Sequence, residues 1–172
     1  IFNGEIYNFK KIRKILENYE YKFKSNTDTE IILAAYDKWR ENCLEYFRGM
    51  FSFAIFDEKK NNLFMARERV GEKPLFYIKK NNELIFSSEV KSLLALDLIA
   101  PKINLDTFDY LLTRGFTKND NTSFENILKL PAAHFLNYNI SNDTIIIKKY
   151  WSLKTNYYTD SKNINKINKI EE

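Results

Sequence analysis

Two short polar elements near the start of the chain carry the residue types that could do chemistry. Asn3-Gly4-Glu5 interrupts an apolar run at what reads as a strand end, and Asp28 follows at the start of a predicted helix. Taken alone, a turn and a helix cap are the favoured readings of these residues.

The other candidates are weaker. Cys43 is the only cysteine and sits between Glu41 and Glu45, whose charge opposes thiolate formation, so a structural thiol is expected. His134, the only histidine, lies in an apolar strand pattern beside Phe135 and reads as packed or hydrogen-bonded. Asp57-Glu58 reads as a solvated strand end. With one Cys and one His there is no zinc-ligand spacing, and no metal site is predicted. No Gly-rich phosphate loop is present.

Composition narrows the class. The chain has 172 residues, 44% hydrophobic and 16% aromatic, as expected of one domain with a real core. A net charge of +4 with interspersed signs gives no basic stripe, so no nucleic-acid role is expected. The apolar runs are too short to span a bilayer, and a single cysteine excludes an internal disulfide. A cytoplasmic location is the simplest expectation.

Periodicity then supplies the elements that must position the polar residues. Asn8 is predicted to cap a helix to about Tyr19, and Tyr21–Ser25 alternates like a short strand. Thr27-Asp28-Thr29-Glu30 reads as a capping box opening a helix through Trp39. A short helix over Cys43–Arg48 ends at Gly49. Met50–Asp57 is apolar on both faces, like a strand between two layers. Leu63–Arg67 follows a turn, Leu75–Lys79 and Leu84–Ser88 form a hairpin at Asn81-Asn82, and Glu89–Leu96 reads as a helix. Asn104 caps a further helix through Leu112, and His134–Ile140 with Thr144–Trp151 makes a last hairpin. The order is that of an α+β protein with mostly antiparallel sheets.

Read together, the segments resemble one family. Phe2-Asn3-Gly4-Glu5-Ile6-Tyr7-Asn8 and Ser25–Glu30 are similar to the signatures of the glutaminase domain of glutamine-dependent asparagine synthetases. Gly49-Met50-Phe51-Ser52-Phe53-Ala54, the block Ala66–Tyr77, Ser87–Leu94, Leu128-Lys129-Leu130-Pro131 and Tyr150-Trp151 resemble its later landmarks, in the same order. The resemblance implies a class II glutamine amidotransferase with the N-terminal nucleophile hydrolase fold. That fold is a four-layer α/β/β/α sandwich of two antiparallel sheets, expected here to be incomplete at the N-terminus. Residues 1–153 would be a partial amidotransferase domain, and 154–172 a linker toward a missing ATP-dependent synthetase domain.

In such domains an N-terminal Cys thiolate attacks the glutamine side-chain amide, with its own α-amino group as base. The resemblance implies that Asn3 and Gly4 form the oxyanion hole, that Asn3, Gly4, Glu5 and Asp28 bind L-glutamine, and that Asp28 pairs with its α-ammonium. It further implies ammonia delivery to the synthetase domain, where ATP and Mg2+ would act, with no cofactor in this domain; it leaves a homodimer open. The nucleophilic Cys and the arginine that would hold the glutamine carboxylate have no counterpart in the chain, so the fragment alone is expected to be inactive. Glu72 replaces a usual Ile, and Asn26 is a one-residue insertion that bears on the reach of Asp28. The alternative reading is a related ATP-dependent peptide or lactam cyclase whose amidotransferase-like half is only structural.

Overall fold

The computed structural model describes residues 1–117 and 120–153. The predicted 154–172 linker lies outside the described residues. Strands β1 (Phe2–Ile6), β2 (Gly49–Asp57), β3 (Asn62–Arg67), β7 (His134–Asn139) and β8 (Thr144–Lys149) form one antiparallel sheet in the order β1-β2-β3-β7-β8. Strands β4 (Phe76–Lys80), β5 (Glu83–Ser87) and β6 (Leu128–Lys129) form a second, in the order β5-β4-β6. Helices α1 (Phe9–Glu17), α2 (Asp28–Trp39) and the short α3 (Cys43–Tyr46) precede β2, while α4 (Val90–Leu94) and α5 (Leu105–Arg114) follow β5.

Strand alternation sorts the side chains into layers. From β2 and β3, Phe51, Phe53, Ile55, Phe64 and Ala66 pack with Ile12 and Leu16 of α1 and Ile31, Ile32 and Ala35 of α2. Ala54 and Met65 point the other way, against Leu75, Tyr77, Leu130, Leu136 and Tyr138 between the sheets. The far face of the second sheet buries Ile78 against Leu93 of α4 and Ile127. The result is the expected α/β/β/α sandwich, and it explains why β2 is apolar on both faces.

Local departures from the sequence pattern have physical causes. Tyr21–Ser25 forms no strand: the Lys24 and Ser25 N–H groups go to the Glu30 carboxylate, and Tyr21 donates its hydroxyl to Asp37. Thr27 occupies the predicted N-cap, but its side chain makes no cap hydrogen bond. Asn8 precedes α1 without capping it; its side chain instead bridges the Tyr46 carbonyl and the Arg48 N–H. Gly49 opens β2 and does not end α3. Asn104 caps as predicted, accepting from the Thr107 N–H at 3.1 Å.

Candidate active site

Asn3-Gly4-Glu5 lies inside β1, not at a strand end. Small polar residues hid the strand from the sequence pattern. Among the described strands β1 stands at the sheet edge, paired only with β2. Ile1 and Ala54 exchange both backbone hydrogen bonds, at 3.0 and 2.9 Å. Antiparallel alternation then turns the N–H groups of Asn3 and Glu5 toward β2, and those of Phe2, Gly4 and Ile6 off the edge. The Ile6 N–H follows that rule: it donates to Asp28 Oδ2 at 2.9 Å.

Gly4 is required sterically. Its φ of +139° is a glycine conformation, and a Cβ there would come within 2.1 Å of the Met50 carbonyl oxygen. Gly49 is its counterpart on β2, with φ +153° and the Glu5 carbonyl oxygen 2.1 Å from a Cβ. The two glycines let β1 and β2 approach closely at the point where the Gly4 N–H faces outward.

Asn3 points between the sheets. With Ser52, Ala54, Leu75, Phe86 and Ser87 it lines a cavity of about 220 Å³ that opens at the β1 edge. Ser52 donates to the Pro74 carbonyl at 3.2 Å. Glu5, two residues on, shares the inter-sheet face by strand alternation but is exposed. The structure thus gathers Asn3, Gly4 and Asp28 along one edge. Asn3 faces the cavity, Gly4 offers an outward donor, and Asp28 is anchored by one oxygen, its other oxygen having no hydrogen-bond partner among the described residues.

Asp28 is the first residue of α2, where the helix dipole favours a carboxylate. The preceding turn is held from two sides. Glu30 accepts from the Lys24 N–H at 2.9 Å, the Ser25 N–H at 2.8 Å and the Ser25 hydroxyl at 2.7 Å. The Lys24 N–H above all, then the Ser25 donors, hold the Glu30 carboxyl down to a pKa of about 2. Arg13 donates to the Ser25 carbonyl at 2.8 Å and reaches Asn26 Oδ1 at 3.4 Å.

The residues judged structural in the sequence have structural places. Cys43 is fully buried, and burial, with the Glu41 charge second, pushes its thiol pKa well up. His134 Nδ1 lies 2.7 Å from the Ala132 carbonyl. Asp57 differs from expectation: it is mostly buried and paired with Arg40 at 3.0 Å, so it is not a solvated strand end.

A buried polar cluster was missed. Arg67 is 7% exposed and donates to the carbonyls of Lys73, Leu130 and Gly71, which fixes the loop carrying Pro74 and Leu75 beside the cavity. Glu68 is 1% exposed; its Oε1 accepts from the Lys73 N–H at 2.8 Å, while Oε2 has no partner among the described residues. Burial raises its pKa, against the opposing pull of the Lys73 N–H. Tyr150 donates to the Arg67 carbonyl at 2.9 Å, and the Arg69 guanidinium lies 5.4 Å from the Trp151 ring centre. The available signal was a pair of charges directly after an all-apolar strand. Among the described residues no group of His, Cys, Asp and Glu could hold a metal ion, and no helix is long and apolar enough to cross a membrane.

This sandwich is that of a glutamine amidotransferase domain. The chain belongs to the glutamine amidotransferase domain family, whose match runs over residues 1–151. It is 36% identical over 94% of its length to asparagine synthetase [glutamine-hydrolyzing] 3 of Bacillus subtilis, of which it covers 26%. It is 37% identical over 89% of its length to the putative asparagine synthetase [glutamine-hydrolyzing] 2 of Methanocaldococcus jannaschii, of which it covers 30%. The chain thus spans under a third of these relatives. Among solved structures, the glutamine phosphoribosylpyrophosphate amidotransferase of B. subtilis superimposes with a TM-score of 0.60 at 17% identity. That match covers 89% of this chain and 29% of the other, and the likeness identifies the N-terminal nucleophile hydrolase fold.

Proposed function

We propose that this chain supplies the oxyanion-stabilising and ammonium-binding side of a glutaminase centre in a glutamine-dependent asparagine synthetase. The observation that carries the reading is the shared edge: the outward Gly4 N–H, Asn3 at the cavity mouth, and the anchored Asp28 carboxylate. Glutamine would enter with its side-chain amide toward Asn3 and Gly4. As a nucleophile adds to the amide carbon, the carbonyl oxygen takes up negative charge, which the Asn3 side-chain amide and the Gly4 N–H would meet with hydrogen bonds. Loss of one such donor typically lowers the rate about 10²–10³-fold. Asp28 would receive the substrate α-ammonium on the oxygen that Ile6 leaves open, and Glu5 would help hold the substrate glutamine.

Cys43 is not the nucleophile of this reading, since it is buried and its thiol pKa is pushed well up by that burial. Released ammonia would amidate aspartate to asparagine in an ATP-dependent reaction. ATP and Mg2+ would serve that amidation step. Cytoplasmic location and a homodimer fit the same reading.

The test has two arms. The 172-residue chain, incubated with L-glutamine, should release no ammonia. In the full-length protein, Asn3→Ala should lower glutamine-dependent ammonia release about 10²-fold or more while leaving ammonia-dependent asparagine formation intact. Unchanged glutamine-dependent ammonia release in Asn3→Ala would remove Asn3 from the oxyanion site, and a full-length protein that releases no ammonia from glutamine would belong with the structural-domain ligases.

A further inference from the structure

We propose that Glu30 is the positioning residue for Asp28: its carboxylate closes the 24–27 turn into the frame that aims Asp28 at the β1 edge. The inference rests on Asp28 being the ammonium ligand. A helix-capping Glu at this position would reach back to the N-cap N–H. Glu30 reaches past Thr27 and takes the N–H groups of Lys24 and Ser25 together with the Ser25 hydroxyl. The Ser25 hydroxyl also lies 2.9 Å from the Thr27 hydroxyl, so the turn is linked to the residue immediately before Asp28. Arg13 of α1 braces the opposite side through the Ser25 carbonyl and Asn26 Oδ1.

The frame has a specific consequence for charge. Glu30 and Asp28 are two carboxylates in one helix turn, and both could attract a substrate ammonium. Three short donors occupy Glu30 and anchor it to its own loop, so Asp28 remains the carboxylate with an oxygen open toward the edge. Without Glu30 the Lys24 and Ser25 N–H groups lose their acceptor, the turn opens, and Asp28 no longer keeps its grip on the Ile6 N–H.

Two measurements test this. Amide exchange of Ile6 in the chain reads the Asp28 bond directly. Glu30→Ala should speed Ile6 exchange about tenfold or more, the loss expected for a hydrogen bond to a charged acceptor, with Phe53 and Phe64 amides unchanged. Glu30→Gln, which keeps one acceptor oxygen, should give a smaller effect. Asp28→Ala must itself speed Ile6 exchange; if it does and Glu30→Ala does not, the positioning role is overturned. In the full-length protein, Glu30→Ala should raise the glutamine KM about tenfold with kcat within about twofold. If Asp28→Asn leaves KM unchanged, the ammonium reading of Asp28 falls. If Asp28→Asn raises KM and Glu30→Ala does not, only the Glu30 inference falls.

Discussion

The Asp28 carboxylate accepts the backbone N–H of Ile6 across 2.9 Å, tying the first turn of α2 to the outer edge of β1. This contact spans 22 residues of sequence and crosses from the helical layer to the sheet. Asp28→Ala should therefore lower stability by about 1–2 kcal/mol, the range for a charge-assisted bond in a half-exposed setting. Asp28→Asn retains an acceptor oxygen and should lose less than about 1 kcal/mol. Urea denaturation of both variants decides the matter. Equal losses would mean that the charge, and not the bond to Ile6, stabilises the fold.

Gly4 and Gly49 face each other's neighbouring carbonyls across the β1–β2 pair, each 2.1 Å from where a Cβ would stand. Gly4→Ala combines backbone strain of about 1–3 kcal/mol with overpacking of about 1–3 kcal/mol. β1 should detach from β2, visible as loss of the Phe2–Ile6 amide resonances from the folded spectrum. A Gly4→Ala protein with wild-type stability and an intact β1 would show that the close approach is not required.

Cys43 gives a chemical test of the core. It is 0% exposed and packs in the cluster that joins α1, α2 and β2, with its thiol pKa raised chiefly by burial. A thiol reagent should leave the native chain unmodified at neutral pH and label it fully in denaturant. Rapid native labelling would contradict both its burial and its exclusion as a candidate nucleophile.

How much of this was legible depends on where each residue finds its partners. β2 could be read because both of its faces are apolar, Phe51 and Phe53 toward the helices and Ala54 toward the second sheet. The β4–β5 hairpin could be read because Asn81 takes the positive φ of its turn. Tyr21–Ser25 misled because its alternation comes from packing on α1 and α2, with Phe23 beneath the Arg13 guanidinium at 5.0 Å, and not from a strand partner. Asn3-Gly4-Glu5 was chosen for its chemistry, but its place inside an edge strand depends on β2, more than 40 residues away. Arg67 and Glu68 look like surface charges in sequence; Arg67 finds an acceptor in the Leu130 carbonyl, 63 residues away, and Glu68 a donor in the Lys73 N–H of the following loop.

Glu68 gives the pH-dependent prediction. Its folded pKa is raised by burial above the ordinary 4.5, so the native state holds this proton more tightly than the unfolded chain. The associated stability is full below the ordinary value and shrinks as pH rises through 4.5 toward the raised pKa. Glu68→Gln removes the titration and keeps an acceptor for the Lys73 N–H. The wild type should thus lose stability relative to Glu68→Gln as pH rises above about 4.5, measured by urea denaturation at each pH. The sign is opposite to that of Glu30, whose lowered pKa contributes stability above the ordinary value that is lost only as pH falls toward about 2. Parallel stability curves for wild type and Glu68→Gln would mean that Oε2 has a donor in solution and that Glu68 is held as an anion.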